Sequence, residues 1–179
     1  MLEGNNVNLR IVEKEDLSFY VNWVNDPSFF GEYNPLEQAT KVEMEKDYDT
    51  APSERKRFFV EKKDGTKIGV VGVFPVGDLW EIGFALIPSE RGKGHGTEAV
   101  TIFVDYLFLS RDLVRIQAAT DPRNIASQRV LETVGFKREG IVRKSMFIHG
   151  EWRDLLLCSI LKEEWKEPKI LTKLFFKQR

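Results

Sequence analysis

The chain of 179 residues sets 27 Lys and Arg against 28 Asp and Glu, and its net charge of −1 excludes the strongly basic surface of a general nucleic-acid binder. With 42% hydrophobic and 31% charged residues it has the composition of one globular domain, long enough to bury about two-thirds of its unfolded surface. The lone cysteine, Cys158, excludes an intrachain disulfide and a cysteine metal cluster; the two histidines lie far apart without ligand spacing, so no metal is expected. The start, Met1-Leu2-Glu3-Gly4, is polar and acidic rather than leader-like. No apolar run reaches the roughly 20 residues that cross a bilayer. These features predict a cytoplasmic protein with no membrane span.

Val7 to Val12 alternates apolar and polar residues and reads as a strand. Asp16 to Trp23 carries apolar residues at helical spacing and ends at Asn25-Asp26-Pro27, because the residue before proline avoids helical torsions. Phe29, Phe30 and Tyr33 follow among turn formers and are either core plugs or the wall of an acceptor pocket. Thr40 with Glu43 predicts a capping box opening a second helix. Arg57 to Lys62 and Lys67 to Phe74 form a hairpin across Lys63-Asp64-Gly65, with Gly69 and Gly72 marking a bulge or a close approach. Pro75 to Leu79 turns into a strand over 80–87, then a glycine-rich loop over 91–96 and a helix over 97–110. Val114 to Thr120 is a strand. Asp121-Pro122 predicts the cap and first residue of a helix that runs to Val134 and ends at Gly135. Phe136 to Arg143 and Glu151 to Leu161 are strands joined near His149-Gly150.

The order β-α-α-β-β-β-α-β-α-β-β predicts an α/β domain with a partly parallel centre and antiparallel flanks. No internal repeat or domain boundary appears within 1–165. Lys166 to Arg179 is a tail with five basic residues and one acid, interleaved with Ile170, Leu171, Leu174 and Phe175. It reads as a basic amphipathic segment that packs on its own domain or makes a dimer or membrane-surface contact, so a homodimer is one expectation.

The loop is the chemically informative stretch. Gly92, Gly94 and Gly96 let the backbone approach a ligand, and the helix behind them offers unpaired N–H groups and a positive dipole end. Such a seat holds an anion, most simply a phosphate. A plain turn is the bland alternative. A P-loop requires Gly-Lys-Ser/Thr where Gly94-His95 stands, and the dinucleotide fingerprint has a different spacing and place in the chain.

Arg91-Gly92-Lys93-Gly94-His95-Gly96 resembles the Arg/Gln-x-x-Gly-x-Gly/Ala acetyl-CoA loop of the GNAT N-acetyltransferases. Glu81-Ile82-Gly83-Phe84 before it resembles that family too. So do Asp121 to Ser127, Gly135-Phe136 and Gly150-Glu151-Trp152-Arg153-Asp154 after it. In that order the set is similar to the RimJ/RimL branch, which acetylates ribosomal-protein N-termini. It spans Leu9 to about Trp165. The resemblance implies a GNAT-like domain whose mixed sheet of about seven strands splays at the acetyl-CoA site and is flanked by about four helices.

It further implies acetyl transfer from acetyl-CoA to a primary amine. The amides of Gly92, Gly94, Gly96 and Thr97 would hold the pyrophosphate, with His95 in the variable, exposed slot. Arg91 and Lys93 would add charge or remain solvated. The pantetheine arm would lie between the strands at 80–87 and 114–120, with a backbone N–H from a bulge at Ala85 and Leu86 stabilising the thioester oxygen. Glu81 is the general-base candidate, or an exposed strand-end carboxylate; a carboxylate in that role needs a raised pKa or an intervening water. Asn124 would contact pantetheine or cap its helix, and Ser127 would face the sulfur or lie on the helix surface. The family's frequent thiolate-facing tyrosine is missing from this helix. Cys158 reads as a buried hydrophobe. Asp154 reads as an ion-pair partner of an arginine or as an acceptor-facing carboxylate. The acceptor is a protein N-terminal α-amine or a small amine such as a polyamine, amino sugar or aminoglycoside. The other class of reading is a non-catalytic acyl-CoA sensor.

Overall fold

The computed structural model describes residues 1–170 and is built on a single eight-stranded sheet. In chain order the strands are β1 (Leu2–Glu3), β2 (Val7–Ile11), β3 (Lys56–Lys62), β4 (Lys67–Val76), β5 (Leu79–Leu86), β6 (Arg115–Thr120), β7 (Lys137–Ile148) and β8 (Glu151–Leu161). The helices are α1 (Leu17–Val24), α2 (Pro27–Phe30), α3 (Lys41–Thr50), α4 (His95–Ser110) and α5 (Ile125–Val134). The sheet order is β1-β2-β3-β4-β5-β6-β8-β7. Every neighbouring pair is antiparallel except β5 and β6, which run parallel. The α/β class and mixed sheet are as expected. The short β1 and the single-turn α2 are the added elements.

Local chemistry explains most boundaries. Thr40 and Glu43 form the reciprocal capping box at α3, and Gly135 ends α5 at φ 113°. Asp26 accepts from the Ser28 amide and Pro27 takes the first helical position, which makes α2 a helix where the sequence read as a turn. The start of α5 is a correction. Its cap is Asn124, whose side-chain oxygen accepts from the Ser127 amide at 3.0 Å. Asp121 instead takes three hydrogen bonds from Arg123, through its amide, Nε and Nη2. Its carboxylate is thereby committed to a turn.

Two apolar layers cover the sheet. On one face α4 and α5 bury Phe103, Leu107 and Leu131 against Ile82, Ile116 and Cys158. On the other α1, α2 and α3 bury Leu17, Tyr20, Phe29 and Met44 against Phe59 and Val70. Phe29 is a core plug, stacked on Trp23 at 4.8 Å between ring centres. Cys158 is buried, and desolvation pushes its thiol pKa up, away from reactivity. Packing continues past residue 165. Ile170 is buried, and Asp105 on α4 accepts from Trp165 Nε1 and from the amides of Lys169 and Ile170. The rest of the amphipathic tail, 171–179, lies outside the described residues.

Candidate functional site

The site begins where the sheet opens. β5 and β6 are paired only at Glu81 and Gln117, so beyond that point their C-terminal ends have no ladder between them. On its other side β5 is paired with β4 from Leu79 to Leu86 without a register shift. Its expected bulge at Ala85 and Leu86 is therefore absent; the shift lies between Val60 and Glu61 in the β3–β4 pair. The register also decides which amides face the opening. Ile87 N–H donates to Ile68 O, so alternation along an antiparallel ladder gives the Ala85 amide to Val70 on β4. The amides of Phe84 and Leu86 point to the β6 side, into the splay. Sequence reasoning placed Ala85 in this role and missed Phe84. Only the pairing with β4 distinguishes them.

The loop after β5 is shaped by glycine. Gly92 and Gly94 adopt φ of 73° and 84°, torsions that a Cβ disfavours. Gly94 is the N-cap of α4, which starts at His95 rather than at 97, and makes no side-chain cap. Among the described residues the amides from Gly92 to Thr97 donate to no protein acceptor. Gly96 lies against Leu86 and Val130, so the loop sits directly over the end of β5 and the side of α5. Six unpaired amides at a helix start make a seat for a diphosphate. Alanine at Gly94 meets a penalty of about 1–2 kcal/mol for the left-handed torsion. Gly94→Ala is therefore expected to weaken coenzyme A binding by about 10-fold in titration calorimetry; unchanged affinity would place the phosphate elsewhere.

The loop side chains sort differently. Lys93 is exposed and lies 3.3 Å from Glu90 Oε2. His95, expected to be exposed, is largely covered; its Nδ1 lies 3.3 Å from Glu90 Oε2 without hydrogen-bond alignment. Arg91 turns away from the amide cluster. Its Nε donates to Leu86 O at 2.9 Å, and its Nη2 donates to Ser28 O at 2.9 Å and Phe29 O at 2.6 Å. Desolvation there pulls the guanidinium below its ordinary pKa. In this arrangement the Arg91 guanidinium is committed to carbonyls, and the amides left for a phosphate begin at Gly92.

Glu81 and Gln117 project on the same sheet face as Ala85, which packs toward the α1 layer. Gln117 Nε2 donates to Glu81 Oε2 at 2.8 Å, and Gln117 itself is buried. Glu81 stands three residues from Phe84, about 10 Å along the strand at the usual rise. A base at that distance acts through water. On α5, Asn124 has its oxygen committed to the cap, while the half-buried Ser127 hydroxyl makes no hydrogen bond among the described residues. Among the described residues Asp154 pairs with no arginine; it accepts from the Lys144 amide at 2.9 Å, within the irregularity between Val142 and Met146.

Beside the splay lies a cleft lined by Pro27, Ser28, Gly31, Glu32, His149 and Arg153. Arg153 is the residue missed here. It donates to Glu32 O at 3.2 Å and lies 3.6 Å from Asp121 Oδ2. Hydrogen bonds from Arg123 hold the almost fully covered Asp121 carboxyl below the usual aspartate range. A depressed carboxyl contributes stability above its unfolded pKa of about 3.9 and loses it as pH falls through the folded value. The melting temperature of the wild type should therefore drop below pH 4 more steeply than that of Asp121→Asn. Parallel curves would remove Asp121 from the acid transition.

No group of three or more His, Cys, Asp and Glu side chains among the described residues is placed to hold a metal ion. No helix among them is long and apolar enough to cross a membrane.

Residues 6–137 match the family described as the acetyltransferase (GNAT) domain. The chain is 34% identical to the probable N-acetyltransferase YjcK of Bacillus subtilis over 92% of its length and 98% of that protein. It is 26% identical to the spermidine N(1)-acetyltransferase of Escherichia coli, covering 92% and 91% of the two chains. It shares its fold with the ribosomal-protein-S5-alanine acetyltransferase of Vibrio fischeri at a TM-score of 0.75 and 24% identity, over 93% of this chain and all of that one.

Proposed function

As a member of the GNAT family the chain is an acetyl-CoA-dependent N-acetyltransferase, and we propose that its acceptor is the α-amine of a peptide or protein N-terminus. The cofactor's place rests on one juxtaposition: the amides of Phe84 and Leu86 face an unpaired opening beside the unpaired amides of 92–97. That spacing suits a long cofactor, with its pyrophosphate on α4 and its amide-bearing arm along the free edge of β5. Arg91 fastens the loop to the end of β5 through its side chain, and Lys93 and His95 lie at the rim. The side-chain amide NH2 of Asn124, which has no acceptor among the described residues, and the Ser127 hydroxyl face the same arm from the start of α5.

The nitrogen lone pair attacks the thioester carbon, forming the C–N bond. The carbonyl oxygen takes up negative charge beside a β5 amide, which is worth a few kcal/mol when preorganised. The intermediate collapses with cleavage of the C–S bond. The proton leaving nitrogen passes through water to Glu81, and the Ser127 hydroxyl donates to the departing thiolate. No covalent enzyme intermediate is involved.

The peptide acceptor is supported by the cleft, whose lining includes one acid, Glu32, held to Arg153 through its main-chain carbonyl, and otherwise the uncharged Pro27, Ser28 and Gly31 with His149. A polycation prefers several carboxylates and no guanidinium. An α-amine, with a pKa near 8, is also easier to neutralise than a lysine near 10.4. The competing reading, a polyamine acceptor, is favoured by the spermidine-acetylating relative that aligns over nearly the whole chain. A thiol-release screen of acetyl-CoA against peptides, polyamines and amino sugars decides between them. Turnover with spermidine and none with peptides would overturn the peptide acceptor. Coenzyme A binding without thiol release from any amine would leave a sensor.

A further inference from the structure

Two arginines far apart in sequence grip the same short segment. Residues 27–34 comprise α2 and the turn after it. Asp26 caps this segment, Asn34 Nδ2 donates to Phe30 O at 2.7 Å, and Gly31 bends it at φ 74°. Phe29 roots it in the core. At one end Arg91, from the phosphate loop, donates to Ser28 O and Phe29 O. At the other Arg153, from β8, donates to Glu32 O while resting against Asp121. β6 lies between β5 and β8 in the sheet. A segment tied to both sides therefore crosses the C-terminal end of β6, over the mouth of the splay.

The pair at Arg91 is chemically unusual for a surface arginine. Its guanidinium meets three main-chain carbonyls and, among the described residues, no carboxylate. Its own amide bonds to Pro88 O at 3.3 Å, and the next residue is Gly92 of the phosphate seat. Any shift of the seat on taking up a diphosphate is transmitted through one residue to the carbonyls of 28 and 29. Arg153 has no such link to the seat, so it serves as the fixed end.

We propose that residues 27–34 form a strap across the open end of the cofactor cleft, and that Arg91 couples the strap's position to occupancy of the phosphate loop. Arg91 is thus a positioning residue for the acceptor side, not a phosphate ligand. This rests on the acetyl-CoA reading of the loop. Occupancy of the phosphate seat tightens the strap, and the tightened strap completes the cleft in which the amine docks. The coupling reaches the amine because the acceptor cleft includes Ser28, Gly31 and Glu32 of the strap itself.

Hydrogen exchange, with and without coenzyme A, tests the coupling without needing the acceptor. In the wild type, coenzyme A should slow exchange both at 92–97 and at 27–34. In Arg91→Gln the slowing at 92–97 should persist, with coenzyme A affinity within about 3-fold of wild type, while strap exchange becomes about 10-fold faster and insensitive to the ligand. Arg91→Lys, which retains charge but cannot fork, should fall between them and serves if the glutamine variant folds poorly. Arg153→Gln should speed strap exchange in the free protein and leave 92–97 unchanged. A loss of coenzyme A affinity of about 10-fold or more in Arg91→Gln, with strap exchange unaltered, overturns the proposal and makes the side chain a phosphate ligand. Unaltered exchange in both arginine variants overturns the strap. If the wild type binds no coenzyme A, the acetyl-CoA reading fails, and the free-protein arms still decide whether the arginines hold the segment.

Discussion

Glu81→Gln is expected to lower kcat by about 100-fold or more, the usual scale for removing a general base. The substitution is a clean probe because of its neighbour. Gln117 Nε2 donates to Glu81 Oε2, and a glutamine oxygen at 81 can accept that same bond. The single β5–β6 bridge at this level, and with it the opening of the splay, should persist. Coenzyme A affinity should change by less than about 2-fold, since the phosphate seat lies at the far end of the strand. The loss then falls on the chemical step, and stopped thiol-release kinetics at saturating acetyl-CoA read it directly. A kcat within about 3-fold of wild type would remove Glu81 as the base and leave water alone to take the proton.

The largest expected effect on stability comes from a residue remote from the chemistry. Asp105 is 2% exposed on α4, and its carboxylate accepts from Trp165 Nε1 at 2.8 Å, Lys169 N at 2.6 Å and Ile170 N at 2.9 Å. Burial pushes its carboxyl pKa up, and the three donors pull it back. Asp105→Ala leaves all three donors without a partner, at about 1–3 kcal/mol each if they stay buried. The segment can relieve part of that by peeling toward water. It then exposes Ile170 and breaks the Trp165 contact with Phe108, whose ring centre lies 5.5 Å away. A net loss of about 3–5 kcal/mol in urea unfolding is the expected result, comparable with breaking other buried charge networks. A loss below about 1 kcal/mol would mean that residues 165–170 do not dock as a stability-bearing unit.

The two predictions differ in how readable their residues were. Glu81 is recognisable from its place at the head of Glu-Ile-Gly-Phe before the glycine loop. Asp105 reads in sequence as one acid within an apolar helix; what makes it matter is a segment some 60 positions away. The same distinction runs through the site. Gly92 and Gly94 were legible because a positive φ is a local demand that glycine meets by itself. Thr40 with Glu43, and Gly135, were legible for the same reason. Asp121-Pro122 misled because its residues satisfy the local rule for a helix start, yet Arg123 claimed the carboxylate first and the cap passed to Asn124.

By itself the sequence determined the α/β order, the capping box of α3, the glycine end of α5 and the glycine-bent loop, all of which rest on torsions and hydrogen bonds within a few residues, and its motifs carried the resemblance to the family. Tertiary structure alone decided that Phe84 rather than Ala85 turns its amide into the splay, because that choice follows from the register of β5 on β4. It also decided that Arg91 grips carbonyls 62 and 63 positions away, and that Arg153 reaches Glu32 across 121. Such partners are chosen by which strands lie side by side, and a guanidinium carries no mark in the chain of the carbonyl it will find.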